Sequence, residues 1–367
     1  MKILHITNFA SREILDGGVN REEALAAFLS ARGSVRLIVQ DARFKRDQVG
    51  RLLRLRRLMR EIDLVAPEIV VLNYPAYPFF WQHTVTKYYK MSLAFTRRLR
   101  RWANSHGAQV IIDVMDLPLY QYEDVGLPMD MSTEDFRAFD QKVLGSADRL
   151  WVCSHHLSEL TTEQYGVPSE RICSVVNGSN ACFATTDPTK QGPFKFVYCG
   201  SLLKHRGVEQ MIRDFVDCRL ENVELHLAGA DGDWIPGAFS NSGIVYHGSL
   251  TDSAACELAA KCEVGCIYYP QKGYYHLAFA TKLALYVCCG VPVLCTDVAE
   301  TGGAVRAMGV GRVVDIADYG RGMREMASDP ATRKSYETAL RAAAAKLSWN
   351  AIYADAWESS GLEEQGS

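Results

Sequence analysis

The strongest constraint in this chain is an alternation of short apolar runs with longer segments of helical spacing, repeated in the same order through both halves. The opening Lys2-Ile3-Leu4-His5-Ile6-Thr7 reads as a buried parallel strand. A pair, Gly17-Gly18, then precedes Arg21-Glu22-Glu23-Ala24-Leu25-Ala26-Ala27-Phe28-Leu29, which has helical spacing and makes a strand, glycine loop, helix unit. Gly33 ends this helix and Val35-Arg36-Leu37-Ile38-Val39 is a second strand, so the chain begins as a right-handed β-α-β crossover. Apolar runs at 68–72, 109–114 and 149–153 continue the alternation. After a polar stretch at 184–193 it resumes with runs at 195–200, 223–229, 244–248, 264–269 and 291–295.

A chain of 367 residues is long enough for two ordinary domains, each with its own core. The pattern predicts an α/β protein of two Rossmann-like, doubly wound domains facing a central cleft. Residues 1–180 form the first domain, 181–193 a linker, 194–345 the second domain, and 346–367 a terminal helix and tail crossing back to the first. Hydrophobic residues are 48% and charged residues 23%, which excludes a disordered, collagenous or disulfide-scaffold protein. No apolar stretch reaches membrane-spanning length and the first residues lack a leader pattern, so the expected location is cytoplasmic. The eleven cysteines lie in apolar runs such as Tyr286-Val287-Cys288-Cys289-Gly290, as small buried side chains, and no zinc-type spacing accompanies them.

Charge is unevenly distributed. Residues 1–110 carry 19 Lys and Arg against 9 Asp and Glu, and the remainder carries 21 against 34. Much of the basic excess lies in Arg43, Lys45, Arg46 and the run Arg51, Arg54, Arg56, Arg57 and Arg60. Leu52, Leu55, Leu58 and Met59 make an apolar strip among these arginines. Two readings stand: a face for an anionic membrane surface, or an ordinary helix packing its leucines on a sheet. A second cluster, Arg97-Arg98-Leu99-Arg100-Arg101, follows an aromatic-rich segment. No recognised nucleic-acid module accompanies either, so nucleic acid is an unlikely partner.

Several landmarks in order carry a resemblance. Asp16-Gly17-Gly18 with Ala31-Arg32-Gly33-Ser34-Val35, then Ala147-Asp148-Arg149-Leu150-Trp151-Val152-Cys153-Ser154 and Val175-Val176-Asn177-Gly178-Ser179, come first. Tyr198-Cys199-Gly200-Ser201-Leu202 with Arg206-Gly207-Val208, and Thr281-Lys282-Leu283-Ala284-Leu285-Tyr286 through Gly290-Val291-Pro292-Val293, follow. In this order they resemble the GT-B glycosyltransferases, particularly the family 4 group, over nearly the whole chain. The resemblance implies a nucleotide diphosphate sugar as donor substrate, no cofactor, and catalysis without a metal. One position departs from it: Leu285 stands where the family has a glutamate that accepts hydrogen bonds from the ribose, a task leucine cannot perform. Glu257, Glu263 and Tyr286 are the candidate replacements.

Breaking a nucleotide-sugar bond leaves charge on a diphosphate, so the site needs cations and backbone N–H donors aimed at those oxygens. Arg206 and Lys282 are the candidate cations. Gly200 and Ser201 follow a strand, where a missing side chain admits a phosphate; the bland alternative is a plain turn. Lys282 has its own bland reading, as a helix-start or solvated lysine. Gly17 and Gly18 are the candidate loop near acceptor or phosphate. Tyr274, Tyr275, His276 and Tyr286 are candidate contacts to donor sugar or nucleotide. For the acceptor, Asp113 and Asp116 follow the strand at 109–114, where open α/β sheets place ligands. Asp116 is the candidate general base and Asp113 the residue that orients its loop; the rival is that both simply cap the next segment. His155-His156 after Ser154 invites a catalytic or metal reading against a capped helix start.

These features predict a glycosyltransferase acting on a saccharide acceptor, plausibly lipid-linked, in polysaccharide or glycoconjugate assembly. A nucleotide-sugar 2-epimerase of similar layout and a non-catalytic partner subunit are the alternatives, the latter resting on Leu285.

Overall fold

The computed structural model describes residues 1–7, 17–39, 48–75, 77–79, 85–125, 131–181, 192–240, 243–328 and 334–362. The expected linker lies almost wholly outside these residues, as do Asp16, Arg43, Lys45 and Arg46. The chain forms two compact units, residues 1–176 with 353–367 and residues 177–352.

In the first unit β1 (Lys2–Thr7), α1 (Gly17–Arg32), β2 (Ser34–Val39), α2 (Gln48–Val65), β3 (Ile69–Tyr74) and α3 (Val85–His106) come first. After them come β4 (Gln109–Val114), α4 (Pro118–Val125), α5 (Thr133–Leu144), β5 (Arg149–Val152), α6 (His155–Tyr165) and β6 (Ile172–Ser174). Its six strands are all parallel, in the order β2-β1-β3-β4-β5-β6. Every residue of β3 is buried, which is why it reads as an unbroken apolar run. Side-chain caps fix two helix starts. Ser132 accepts from the Asp135 N–H ahead of α5, and Ser154 accepts from the Leu157 N–H ahead of α6.

The second unit contains β7 (Phe194–Cys199), α7 (Val208–Cys218), β8 (Val223–Ala228), α8 (Ile235–Ala238), β9 (Ile244–Tyr246), α9 (Asp252–Ala260) and β10 (Val264–Ile267). It continues with α10 (Gly273–Leu277), α11 (Thr281–Cys288), β11 (Val293–Thr296), α12 (Ala299–Met308), β12 (Gly311–Val314), α13 (Tyr319–Ser328) and α14 (Glu337–Lys346). Its sheet is also parallel, in the order β12-β11-β10-β7-β8-β9. The chain builds outward from β7 on one side and then restarts at β10 on the other. The gap between those two strand ends is the topological switch point, where doubly wound sheets bind ligands.

The final helix, α15 (Trp349–Ser359), carries the chain back into the first unit. There Trp357 packs 5.9 Å from Phe28 and 6.4 Å from Trp151, and the Tyr353 hydroxyl donates to the Arg21 carbonyl at 3.3 Å. The Trp151 indole donates to Ser360 Oγ at 2.9 Å.

The structure corrects one expectation and bears out one of two readings. The Gly17-Gly18 pair is not a loop ahead of the helix: both residues belong to its first turn. The apolar strip of the basic helix divides: Leu55 and Leu58 turn inward, Met59 is half-buried and Leu52 is exposed. Leu55, Leu58 and Ile62 are buried where α2 packs on β1 and α3. Each such burial is worth about 1.5–3 kcal/mol. What α2 exposes is Leu52, Leu53 and Leu64 with Arg54, Arg56, Arg57 and Arg60. Arg57 pairs with Glu61 one turn on. Arg51 lies in α2, its side chain outside the description.

Candidate active site

At the switch point of the second unit, β7 ends in Tyr198-Cys199 and runs into Gly200, whose φ is +149°. That backbone is one L side chains rarely adopt. A Cβ there would also stand 3.2 Å from Lys282 Cε and 3.4 Å from its Nζ. The bare backbone therefore lets the lysine lie against the strand end. On the adjacent strand Gly229 has φ +151°, and a Cβ on it would collide with the Gly200 carbonyl. Two side-chain-free strand ends thus lie back to back. The sequence reading did not single out Gly229.

Lys282 comes from the first turn of α11. Its Nζ donates to the Tyr198 hydroxyl at 3.3 Å and sits 4.4 Å above the Tyr198 ring and 4.9 Å from the Tyr269 ring. Tyr269 follows β10, so the lysine bridges the two strands that flank the switch point. The rings hold the ammonium by cation–π attraction without neutralising it. The Tyr198 hydroxyl in turn donates to the Ser201 carbonyl at 3.3 Å, and Ser201 Oγ to Asp231 at 3.4 Å. Burial pushes the Tyr198 phenol up, and the Arg206 guanidinium pulls the other way. Arg206 sits in the 3-10 turn after Gly200, and its Nε is buried with no hydrogen-bond partner. Neither Lys282 nor Arg206 has a carboxylate partner among the described residues. The structure therefore brings Gly200, Ser201 and Lys282 together around Tyr198, with Arg206 in the turn that follows.

The backbone donors are fewer than the glycine suggested. The Gly200 N–H is bonded to the Ala228 carbonyl and the Leu202 N–H to that of Ala230, each at 2.9 Å, which leaves the Ser201 N–H.

The aromatic candidates divide. Tyr275 stacks on Tyr269 at 4.8 Å and Tyr274 meets Tyr275 edge-on at 5.5 Å, extending the lysine's aromatic surround. His276 Nδ1 accepts from the Ala299 N–H at 3.1 Å, capping α12. Tyr286 is different. It is fully buried, its hydroxyl accepting from the Cys199 N–H at 2.8 Å and reaching the Cys266 carbonyl at 3.5 Å. It braces β7 from within the core and is not part of the cluster. Glu263 also drops out as a ribose ligand, since it holds the Lys195 N–H at the amino ends of the strands. Glu257 is exposed on α9, and Leu285 is buried.

In the first unit the carboxyl ends of β1 and β4 carry a buried charge cluster. Asp113 accepts from Arg21 Nη2 at 2.6 Å and Nε at 2.9 Å, with both side chains out of water. Burial opposes the Arg21 charge, but Asp113 overcomes it and raises the guanidinium pKa. Asp113 is therefore an ion-pair partner that ties β4 to α1, not an orienter of the following loop. Its neighbour Glu22 is pushed up to about 8, chiefly by burial, against a hydrogen bond from Thr7. Asp116 is half-buried between β4 and α4. The preceding Met115 is clamped, its N–H on the Tyr74 carbonyl and its carbonyl accepting from Cys153 Sγ. His155 and His156 occupy the capped first turn of α6. Among the described residues no three His, Cys, Asp or Glu side chains converge as metal ligands, and no helix is long and apolar enough to cross a membrane.

Two parallel sheets of doubly wound order, with Lys282 at the switch point of the second, define an α/β protein of two Rossmann-like units. No protein-family model matches the chain, and no curated protein matches it in sequence. Solved structures match it in fold. Sucrose-phosphate synthase from Thermosynechococcus elongatus is 14% identical with a TM-score of 0.70, over 97% of each chain. Anabaena HepE in complex with UDP and glucose is 13% identical with a TM-score of 0.68, over 99% of this chain and 100% of that one. WaaG, a glycosyltransferase involved in lipopolysaccharide biosynthesis, is 15% identical with a TM-score of 0.65, over 100% of both chains. The fold is the two-Rossmann GT-B fold of these proteins.

Proposed function

We propose that this chain is a glycosyltransferase that moves a sugar from a nucleotide diphosphate sugar to a saccharide acceptor. The carrying observation is Lys282, which lies against Tyr198 beside Gly200 with Arg206 in the following turn, neither paired with a carboxylate among the described residues. Structures of this fold hold UDP and UDP-glucose, which supports the same donor chemistry here.

As the sugar leaves its diphosphate, negative charge grows on the departing phosphate oxygen. Lys282, Arg206 and the Ser201 N–H stabilise that charge, and because they are held in place beforehand they need little reorganisation at the moment of reaction. Tyr274 and Tyr275 offer apolar faces to sugar or base. On the acceptor side Asp116 takes the hydroxyl proton as general base. The reaction needs no cofactor, since the donor carries the activated bond. The acceptor is a lipid-linked saccharide met at an anionic membrane surface inside the cell, to which the exposed Arg54, Arg56 and Arg60 with Leu52 and Leu53 are suited.

A thermal-shift screen against UDP-, GDP-, dTDP- and ADP-sugars tests the donor assignment, because a ligand of the native state raises the melting temperature. At least one stabilises the chain. Asp116→Asn keeps that shift and loses transfer; transfer at the parental rate would remove Asp116 from the mechanism. Interconversion of free donor sugars would indicate an epimerase, and neither binding nor turnover a non-catalytic subunit. Vesicles containing phosphatidylglycerol bind the parent and release the Arg54→Glu, Arg56→Glu double variant.

A further inference from the structure

The first sheet has a second charged feature, at the edge opposite Asp116. A pocket of about 420 Å³ opens at the amino ends of β4 and β5, between α3 and the segment ahead of β6. Three guanidiniums line it: Arg100 on α3, Arg149 at the start of β5, and Arg171 just before β6. Leu150 is registered with Ile172 in the parallel β5–β6 pair, so Arg149 and Arg171 precede matched positions on strands about 4.8 Å apart. Two long cations thus emerge side by side.

One carboxylate lines the pocket, and it is already engaged. Asp148 accepts from Arg100 Nη1 at 2.7 Å and from the Val110 N–H at 2.8 Å. Arg149 reaches only neutral acceptors over long distances, the Ser360 carbonyl at 3.3 Å and the Glu170 carbonyl at 3.4 Å. The Arg171 side chain has no hydrogen bond or ion pair among the described residues. The amide oxygen of Asn104, also in the lining, is held by Arg100, which leaves its NH₂ group as a further donor. The pocket therefore holds two positive charges more than its carboxylate balances.

Adjacent guanidiniums without a carboxylate of their own repel one another. They match the planar, bidentate geometry of a phosphate. A volume of this size takes a small molecule rather than an ion alone. Substrates of open α/β sheets bind at the carboxyl ends of strands, so this pocket is separate from the transfer site.

We propose that this pocket binds a phosphate monoester carried on a body of about sugar size, with Arg149 and Arg171 forking the dianion and Asn104 donating to its rim. The same group is presented by a soluble sugar phosphate and by a phosphatidate headgroup, and two arms separate these sources. Both use the full chain carrying Lys282→Ala with Arg54→Glu and Arg56→Glu, so that phosphate binding at the donor site and anionic-vesicle binding by α2 are silenced whatever becomes of the transferase reading. In one arm a hexose 6-phosphate is titrated calorimetrically at low ionic strength; in the other, phosphatidylcholine vesicles with and without phosphatidic acid are floated with the protein. Binding in at least one arm is expected, weakened at least tenfold by Arg171→Ala and abolished by Arg171→Glu. Arg171→Gln gives the same weakening without reversing charge, and its melting temperature should match the parent because the side chain makes no bond. Absence of binding in both arms, or binding that survives Arg171→Glu, overturns the proposal.

Discussion

The strand ends of the two units use charge in opposite ways. In the first, Arg21 and Asp113 are buried against each other in a bidentate pair that the protein completes by itself. In the second, Lys282 lies on Tyr198 and Tyr269 with Arg206 in the turn after Gly200, and neither has a carboxylate partner among the described residues. A charge already answered inside the fold serves architecture, since nothing is left over for a ligand. A charge held by aromatic rings and left unanswered is available to an anion that arrives later. The nature of the partner, and not the presence of charge, separates scaffold from site.

The comparison is most easily broken at the buried pair. Asp113→Ala leaves Arg21 charged and out of water, an expected loss of about 3–5 kcal/mol of stability, read from the urea midpoint. Removing both charges together, as Arg21→Met with Asp113→Leu, should cost far less than the single change. Equal losses would mean that the pair is not the source of the penalty.

Next in size is the glycine contact that shapes the second site. Gly229→Ala places a methyl group against the Gly200 carbonyl at a strained φ, with an expected cost of about 2–3 kcal/mol. Nucleotide binding should weaken with it, because Gly200 positions the bed on which Lys282 lies. A stable variant with parental affinity would show that this packing is incidental.

The smallest effect is a pH slope. The Glu22 carboxyl titrates near 8 in the fold against an ordinary value of 4.5, so the folded state binds its proton more tightly than the unfolded chain. Its contribution is therefore lost as pH rises from about 4.5 to about 8. Asp140, pushed up to about 7 chiefly by burial, gives a parallel loss that is mostly complete by neutrality. Between pH 7 and 8 the remaining fall in melting temperature belongs largely to Glu22, and Glu22→Gln should flatten it. An unchanged slope in that variant would place the titration elsewhere.

How much of this was legible in the sequence depended on where each signal lies. Strands buried on both faces, such as β3 and β4, announce themselves as apolar runs. The short edge strands β6 and β12 do not, since all their residues are only half-buried and Arg312 interrupts one of them. Gly200 and Arg206 stood out because a strand running into glycine, with a cation nearby, is a local pattern, and Lys282 stood out through the family resemblance of the segment 281–293. Tyr198 and Tyr269 as the bed of the lysine were not visible, because strand order, and not chain order, brings residues 71 positions apart together. Tyr286 was misjudged for a related reason. Its neighbours in sequence suggested a ligand contact, whereas the helix face it occupies turns it onto Cys199. The leucines of α2 show the same ambiguity: their spacing marks an apolar face but not what covers it.

The central claim is that Lys282 and Arg206 exist to neutralise a diphosphate. Its most direct test is calorimetric titration of the parent, Lys282→Ala and Arg206→Ala with the free nucleoside diphosphate of whichever donor stabilises the parent. Each single variant should bind at least tenfold more weakly and the double variant should show no heat of binding. Parental affinity in either single variant would contradict the account.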